Sequence, residues 1–148
     1  MKTFQVHHEI LVKAPVEKTF AVWTDFEHWA ELYPEVYDSV EVERSGNTVN
    51  TKEVIKTIAG KQSAGIHTEL NPPASYRRDF VDGAMEGSIR NTTFESTPDG
   101  TLVKTDMDVK LAGMAAMLIG DLAETLFTKN IEKLSNAHAR VAEEEAGR

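Results

Sequence analysis

Apolar and polar positions alternate at the start of the chain. Phe4, Val6, His8, Ile10 and Val12 share one side of a two-residue repeat and Gln5, His7, Glu9 and Lys13 the other, with Leu11 out of phase. That pattern predicts a strand with one buried face. Ala14-Pro15 ends it, and Pro15 suits the first turn of a helix because its missing N–H would be unpaired there anyway. Val16, Thr19, Phe20 and Trp23 then recur at i, i+3, i+4 and i+7, predicting a helix to about Thr24. Thr24-Asp25 is placed to cap a second short helix through Glu27, His28, Trp29 and Leu32, which Pro34 stops after Tyr33.

From Val36 to Leu111 the runs become β-rich and are separated by Ser45-Gly46-Asn47, Ala59-Gly60-Lys61, Asn71-Pro72-Pro73, Asp82-Gly83 and Pro98-Asp99-Gly100. Such short connections predict antiparallel hairpins. Strands are expected over 36–44, 48–58, 62–70, 76–81, 86–96 and 101–111, which with the first makes seven. Beyond Ala112 there is no proline. Leu118, Leu122, Leu126, Leu134 and Val141, with Met114, Phe127 and Ile131 alongside, predict one long amphipathic helix to about Glu145.

The resulting α+β order requires a curved seven-stranded antiparallel sheet in one domain over residues 1–148, with two short helices after its first strand. Such a sheet needs a cover on its apolar face, and the long C-terminal helix is the only element large enough. Where a curved sheet meets a helix over part of its length, a cavity opens between them, closed at one end by the short helices.

Charge and composition narrow the partners. The chain carries 16 Lys+Arg against 24 Asp+Glu, a net charge of −8, and has no cationic run. Nucleic acid and anionic membrane surfaces are therefore not expected partners, since both are bound through clustered cations. The lack of cysteine excludes disulfides, thiol nucleophiles and Cys-ligated zinc. His7, His8, His28, His67 and His138 sit on separate predicted elements without HxH or HExxH spacing, so no metal site is expected. With no glycine-rich phosphate loop and no GxSxG, the pattern implies neither a cofactor nor a covalent nucleophile. No secretory or transmembrane segment is expected either, because no apolar stretch approaches ~18–20 residues. The expected location is cytoplasmic.

Two longer motifs carry a family resemblance. Glu9-Ile10-Leu11-Val12-Lys13-Ala14-Pro15-Val16-Glu17-Lys18-Thr19-Phe20 and Trp23-Thr24-Asp25-Phe26-Glu27-His28-Trp29-Ala30-Glu31-Leu32-Tyr33-Pro34 resemble the START and Bet v 1 superfamily, as do Gly83-Ala84-Met85-Glu86-Gly87 and Pro98-Asp99-Gly100-Thr101-Leu102-Val103 further on. The resemblance covers essentially the whole chain. It points to the group named for polyketide cyclases/dehydrases and lipid transport, which also contains coenzyme Q-binding proteins. It implies a helix-grip fold with a ligand cavity, on which carriers, binders and enzymes all occur, so individual residues must decide the function.

His8 lies on the buried side of the first strand, as a cavity-wall donor or base or as a satisfied core histidine. Arg90 shares its face with Ser88, Thr92 and Phe94. If Phe94 and Met107 face inward Arg90 does too, and a buried guanidinium then needs a carboxylate or an acidic or carbonyl-bearing ligand. The reverse register would leave Arg90 solvated. Of the consecutive Arg77 and Arg78, Arg78 is the inward one, with Asp79 and Asp82 as nearby counter-charges. Trp23, Phe26, Trp29, Tyr33 and Tyr37 gather the aromatics at the short helices, Trp29 and Tyr33 being the best placed for ligand contact. Phe80, Thr105, Met107, Met114, Leu118 and Leu122 complete the expected lining.

These residues support binding of a hydrophobic small molecule such as a lipid, quinone, isoprenoid or polyketide. The alternative is a cyclase or dehydratase using Arg90 or Arg78 with His8 or Tyr33 and hydroxyls such as Ser88. The tryptophan and arginine that the resembled cyclases place on their middle strands have no match in Gln62-Ser63-Ala64-Gly65-Ile66-His67. A protein-interaction module is a third alternative without a supporting motif.

Overall fold

The computed structural model describes residues 2–57, 60–113, 116 and 120–147. Strand β1 (Lys2–Val12) leads through Pro15 into helix α1 (Val16–Trp23), a 3₁₀ turn (Phe26–His28) and helix α2 (Trp29–Leu32). Six strands follow, β2 (Tyr37–Ser45), β3 (Thr48–Thr57), β4 (Gly60–Asn71), β5 (Ser75–Phe80), β6 (Ile89–Thr97) and β7 (Gly100–Leu111). Asp25 does not cap α2; its carboxylate is held by His28 Nδ1 at 2.7 Å.

The seven strands form one antiparallel sheet in the order β1-β7-β6-β5-β4-β3-β2. Hairpins chain β2 through β7, and β1 then pairs with β7 from Lys2↔Leu111 to Val12↔Thr101. The two short helices carry the chain from one sheet edge to the other. Thr101 Oγ1 donates to Ala14 O at 2.8 Å, pinning the turn where β1 gives way to α1.

The last helix, α3 (Ala123–Ala146), follows a 3₁₀ turn at Gly120–Leu122; Gly113 and Ala116 before it are helical too, and residues 114, 115 and 117–119 of the expected helix lie outside the described residues. Gly113, at φ 67°, turns the chain away from β7. Along α3 the buried residues Ile131, Leu134, Ser135, His138, Ala139 and Ala142 form one stripe at helical spacing. This stripe packs on the sheet in three neighbouring apolar clusters. One surrounds Ile66, Phe80, Met107 and Ile131; the second joins Phe20, Trp23, Phe94 and Ala139; the third joins Phe26, Trp29, Tyr33, Tyr37 and Leu134.

Candidate functional site

The inner face of the sheet is built from aligned rows. Strand pairing sets Val49, Thr68, Arg78, Arg90, Met107 and Val6 side by side from β3 to β1. Two arginines therefore stand directly opposite each other on adjacent strands, an arrangement that is unfavourable unless negative charge is supplied. Glu53 supplies it for one of them. On β3, Val49, Thr51 and Glu53 turn to the same buried side, and the Glu53 carboxylate pairs with the Arg78 guanidinium, both side chains being 1% exposed.

The rest of the Arg78 environment holds that pair in place. Its Nε donates to Thr68 Oγ1 at 3.2 Å and its Nη2 to Thr51 Oγ1 at 3.4 Å, while Thr51 Oγ1 itself donates to Glu53 Oε2 at 2.6 Å. The guanidinium lies 4.9 Å from the ring centres of both Phe26 and Trp29, where the aromatic faces add attraction for the cation. Arg77 points outward and pairs with Asp79, and Asp82 Oδ1 accepts from the backbone N–H of Gly65 at 2.6 Å. The counter-charge of Arg78 thus comes from Glu53, two strands away, and not from either neighbouring aspartate.

Arg90 is different. It is half-buried, its Nη2 meets only the weak acceptor Met107 Sδ at 3.6 Å, and its buried Nε has no hydrogen-bond partner. It stands between two hollows. The larger, of about 350 Å³, lies between the sheet and α3 and is lined by Tyr37, Glu53, Ile55, Arg78, Phe80, Met85, Arg90, Leu111, Leu126, Phe127, Ile131 and Leu134, with Glu35, Lys56, Thr57, Gln62 and Asn130 on its polar side. That volume falls within the range of small-molecule sites. The smaller, of about 20 Å³, is walled by Trp23, Trp29, Tyr76, Arg90, Thr105, Ser135 and His138 with Ile131 and Leu134. It has room for one water-sized group. Trp29, in the same wall, has a buried Nε1 without a partner.

Near these hollows one histidine and two tyrosines are kept neutral. Burial, reinforced by the positive charges of Arg90 and Arg78, pushes His138 down to about 3. Tyr33 meets it at 2.5 Å. The phenol is the stronger acid of the two neutral groups, so its hydroxyl donates to His138 Nδ1 and the imidazole proton sits on Nε2. Burial raises the phenol of Tyr33, and it raises that of Tyr37 together with the Glu53 charge, so both stay protonated. Among the described residues no cluster of three His, Asp or Glu side chains forms a metal-binding group.

The sequence profile of the family described as polyketide cyclase/dehydrase and lipid transport matches residues 3–143. The chain belongs to that family. Among solved structures, this family member resembles a Thermus thermophilus protein at TM-score 0.83 and 20% identity, covering 94% of this chain and 97% of that one. A START superfamily protein from Mycobacterium smegmatis matches at TM-score 0.73 and 20% identity over 95% and 97% of the two chains. A Streptomyces aromatase/cyclase matches at TM-score 0.71 and 18% identity over 99% and 94%. These likenesses establish the helix-grip fold. No curated protein sequence matches the chain.

The residues singled out from sequence fall into three groups. Arg78, Arg90 and Phe80 line the large cavity, while Arg90, Trp29 and Thr105 wall the small one. His8, Tyr33, Phe94 and Met107 point into the interior but border neither hollow: Phe94 packs on Phe20 and Trp23, Met107 contacts Arg90, Tyr33 holds His138, and the buried His8 Nδ1 has no partner. Ser88 is likewise spent on the backbone, bonding Lys110. Leu122 is 59% exposed, because it sits in the 3₁₀ turn before α3 and not within the helical stripe. Met114 and Leu118 lie outside the described residues. Sequence reasoning missed Glu53 as a cavity charge and His138 as a wall of the small hollow. Glu53 shares the parity of Val49 and Thr51, and His138 follows Ile131 and Leu134 at helical spacing, so both signals were present in the pattern.

Proposed function

We propose that this family member binds a hydrophobic small molecule of the lipid, quinone, isoprenoid or polyketide kind in the space between sheet and α3. The cavity of about 350 Å³ with Phe80, Met85, Leu111, Phe127 and Ile131 in its wall carries this reading. A ligand burying ~300 Å² of apolar surface would contribute on the order of 7 kcal/mol before ordering costs. Micromolar binding then needs no covalent chemistry. Purified protein should release a hydrophobic compound into organic solvent, detectable by mass spectrometry, and should bind an environment-sensitive fatty-acid or quinone probe with saturation. Absence of both signals would overturn the reading.

A cyclase or dehydratase reading draws on one specific observation, the Arg90 guanidinium and the Tyr37 phenol in the wall of the same cavity. Together they offer a fixed cation and a protonated donor for a carbonyl that gains negative charge. Cyclisation of a poly-β-ketone surrogate that is lost in Arg90→Ala would support it. Turnover that is indifferent to Arg90 would dismiss it.

A further inference from the structure

We infer that the ligand is an anionic amphiphile, with a single carboxylate or comparably acidic oxygen head group on Arg90 and its apolar body against Phe80, Leu111, Phe127 and Ile131. The inference rests on the binding reading above and narrows it to one charge class.

The interior charges do not balance. Arg78 and Arg90 stand opposite each other on β5 and β6, and Glu53 is the only carboxylate among the buried residues. That carboxylate is committed to Arg78 and Thr51. All 24 Asp and Glu residues lie at described positions, and none forms an ion pair with Arg90. The other groups around Arg90 bring no negative charge, since burial keeps Tyr37 and His138 neutral and Met107 offers only sulfur. At the polar side of the cavity Lys56 Nζ donates to Pro34 O at 2.8 Å and Glu35 pairs with Lys133 at 3.8 Å, not with Arg90.

A guanidinium carries five fixed N–H donors and is drawn to planar oxyanions. Here Nη2 meets only sulfur and the buried Nε has no partner. Trp29 Nε1 is a second orphaned donor on a residue only 1% exposed, and that residue walls the same one-atom hollow that Arg90 borders. Two residues with unsatisfied buried donors border one space of about 20 Å³, and an acceptor oxygen there would find donors at hand. With Glu53 committed to Arg78, the uncompensated charge in the wall is the positive one of Arg90, which favours an anion beside it.

The test compares three probes of equal chain length, decanoate, decanol and decyltrimethylammonium, titrated calorimetrically against the full chain at pH 7.5. Decanoate should bind at least about tenfold more tightly than decanol, and the cation should not bind measurably. In Arg90→Gln the decanoate advantage should vanish while decanol affinity stays within about twofold, which also shows that the cavity survives the substitution. Arg90→Lys, keeping the charge, should retain part of the advantage. Equal binding of decanoate and decanol by the wild type overturns the inference yet leaves the binding reading intact, as does a preference that persists in Arg90→Gln. Failure of all three probes with the wild type overturns both. If Arg90→Gln does not fold, the ranking of the three probes on wild type and Arg90→Lys decides the matter.

Discussion

Glu53 and His138 show how single residues hold this interior together. Removing one partner of a buried ion pair strands the other without solvent or counter-charge, which is far worse than never having had the pair. Glu53→Ala should therefore lower stability by about 3–5 kcal/mol, measured as a shift in urea midpoint. Glu53→Gln, which keeps the hydrogen bonds from Thr51 and Arg78, should lose less. His138 acts through pH. Its folded value near 3 lies below the ordinary 6.5, so between them the unfolded chain takes up a proton that the folded chain refuses. Its contribution is complete above pH 6.5 and falls away on acidification, at up to about 1.4 kcal/mol per pH unit. Chemical denaturation of wild type and His138→Gln between pH 6.5 and 5 should show a shallower decline for the variant. His7 and His28 are exposed and shift upward through Asp106 and Glu9 and through Asp25, the opposite sense, but they are common to both proteins and cancel in the comparison.

Among the elements, those with strict periodicity were readable and those defined by pairing were not. β1 and β7 alternate cleanly, and their bounds agree closely with the pattern. β6 begins at Ile89 instead of Glu86 because residues 83–88 are consumed by turns, with Gly87 N–H donating to Phe80 O at 2.8 Å and Ser88 N–H to Met85 O at 3.0 Å. β4 extends back to Gly60 because ladder bonds to Thr57 continue where apolar alternation has stopped. The inward Arg78 was legible because one of two consecutive strand residues must point inward. Its partner was not, because a glutamate in a strand reads as solvent-facing until a register two strands away brings a cation to it. Turn chemistry was legible too, and it has a measurable consequence at the β6–β7 hairpin. Gly100 sits at φ 138°, and a Cβ there would lie 2.1 Å from Val12 O. Gly100→Ala should destabilise by about 1–3 kcal/mol from backbone strain alone, with the clash in addition. Gly46→Ala, at φ 60° with nothing within 4 Å, should lose less in the same thermal melt.

For the whole molecule, the surface and the interior carry opposite signs. The net charge of −8 is set by exposed residues, while the cavity wall holds the buried Arg78–Glu53 pair and the half-buried Arg90. No helix among the described residues is long and apolar enough to cross a membrane. The sheet order places β1 and β2 at its two edges, although they are first and second in the chain. Since β1 finds its partner only in β7, the first strand to leave the ribosome must wait until Leu111 has been made. Until then its apolar side, Val6, Ile10 and Val12, is unsheltered, and the loop that has to close is nearly the length of the sheet-forming chain. Such distant pairing slows folding and leaves an unpaired edge open to aggregation in the interval. The hairpins from β2 to β7 can assemble as they emerge, so the β1–β7 seam is the last to knit, and chaperone demand during synthesis should concentrate on that delay.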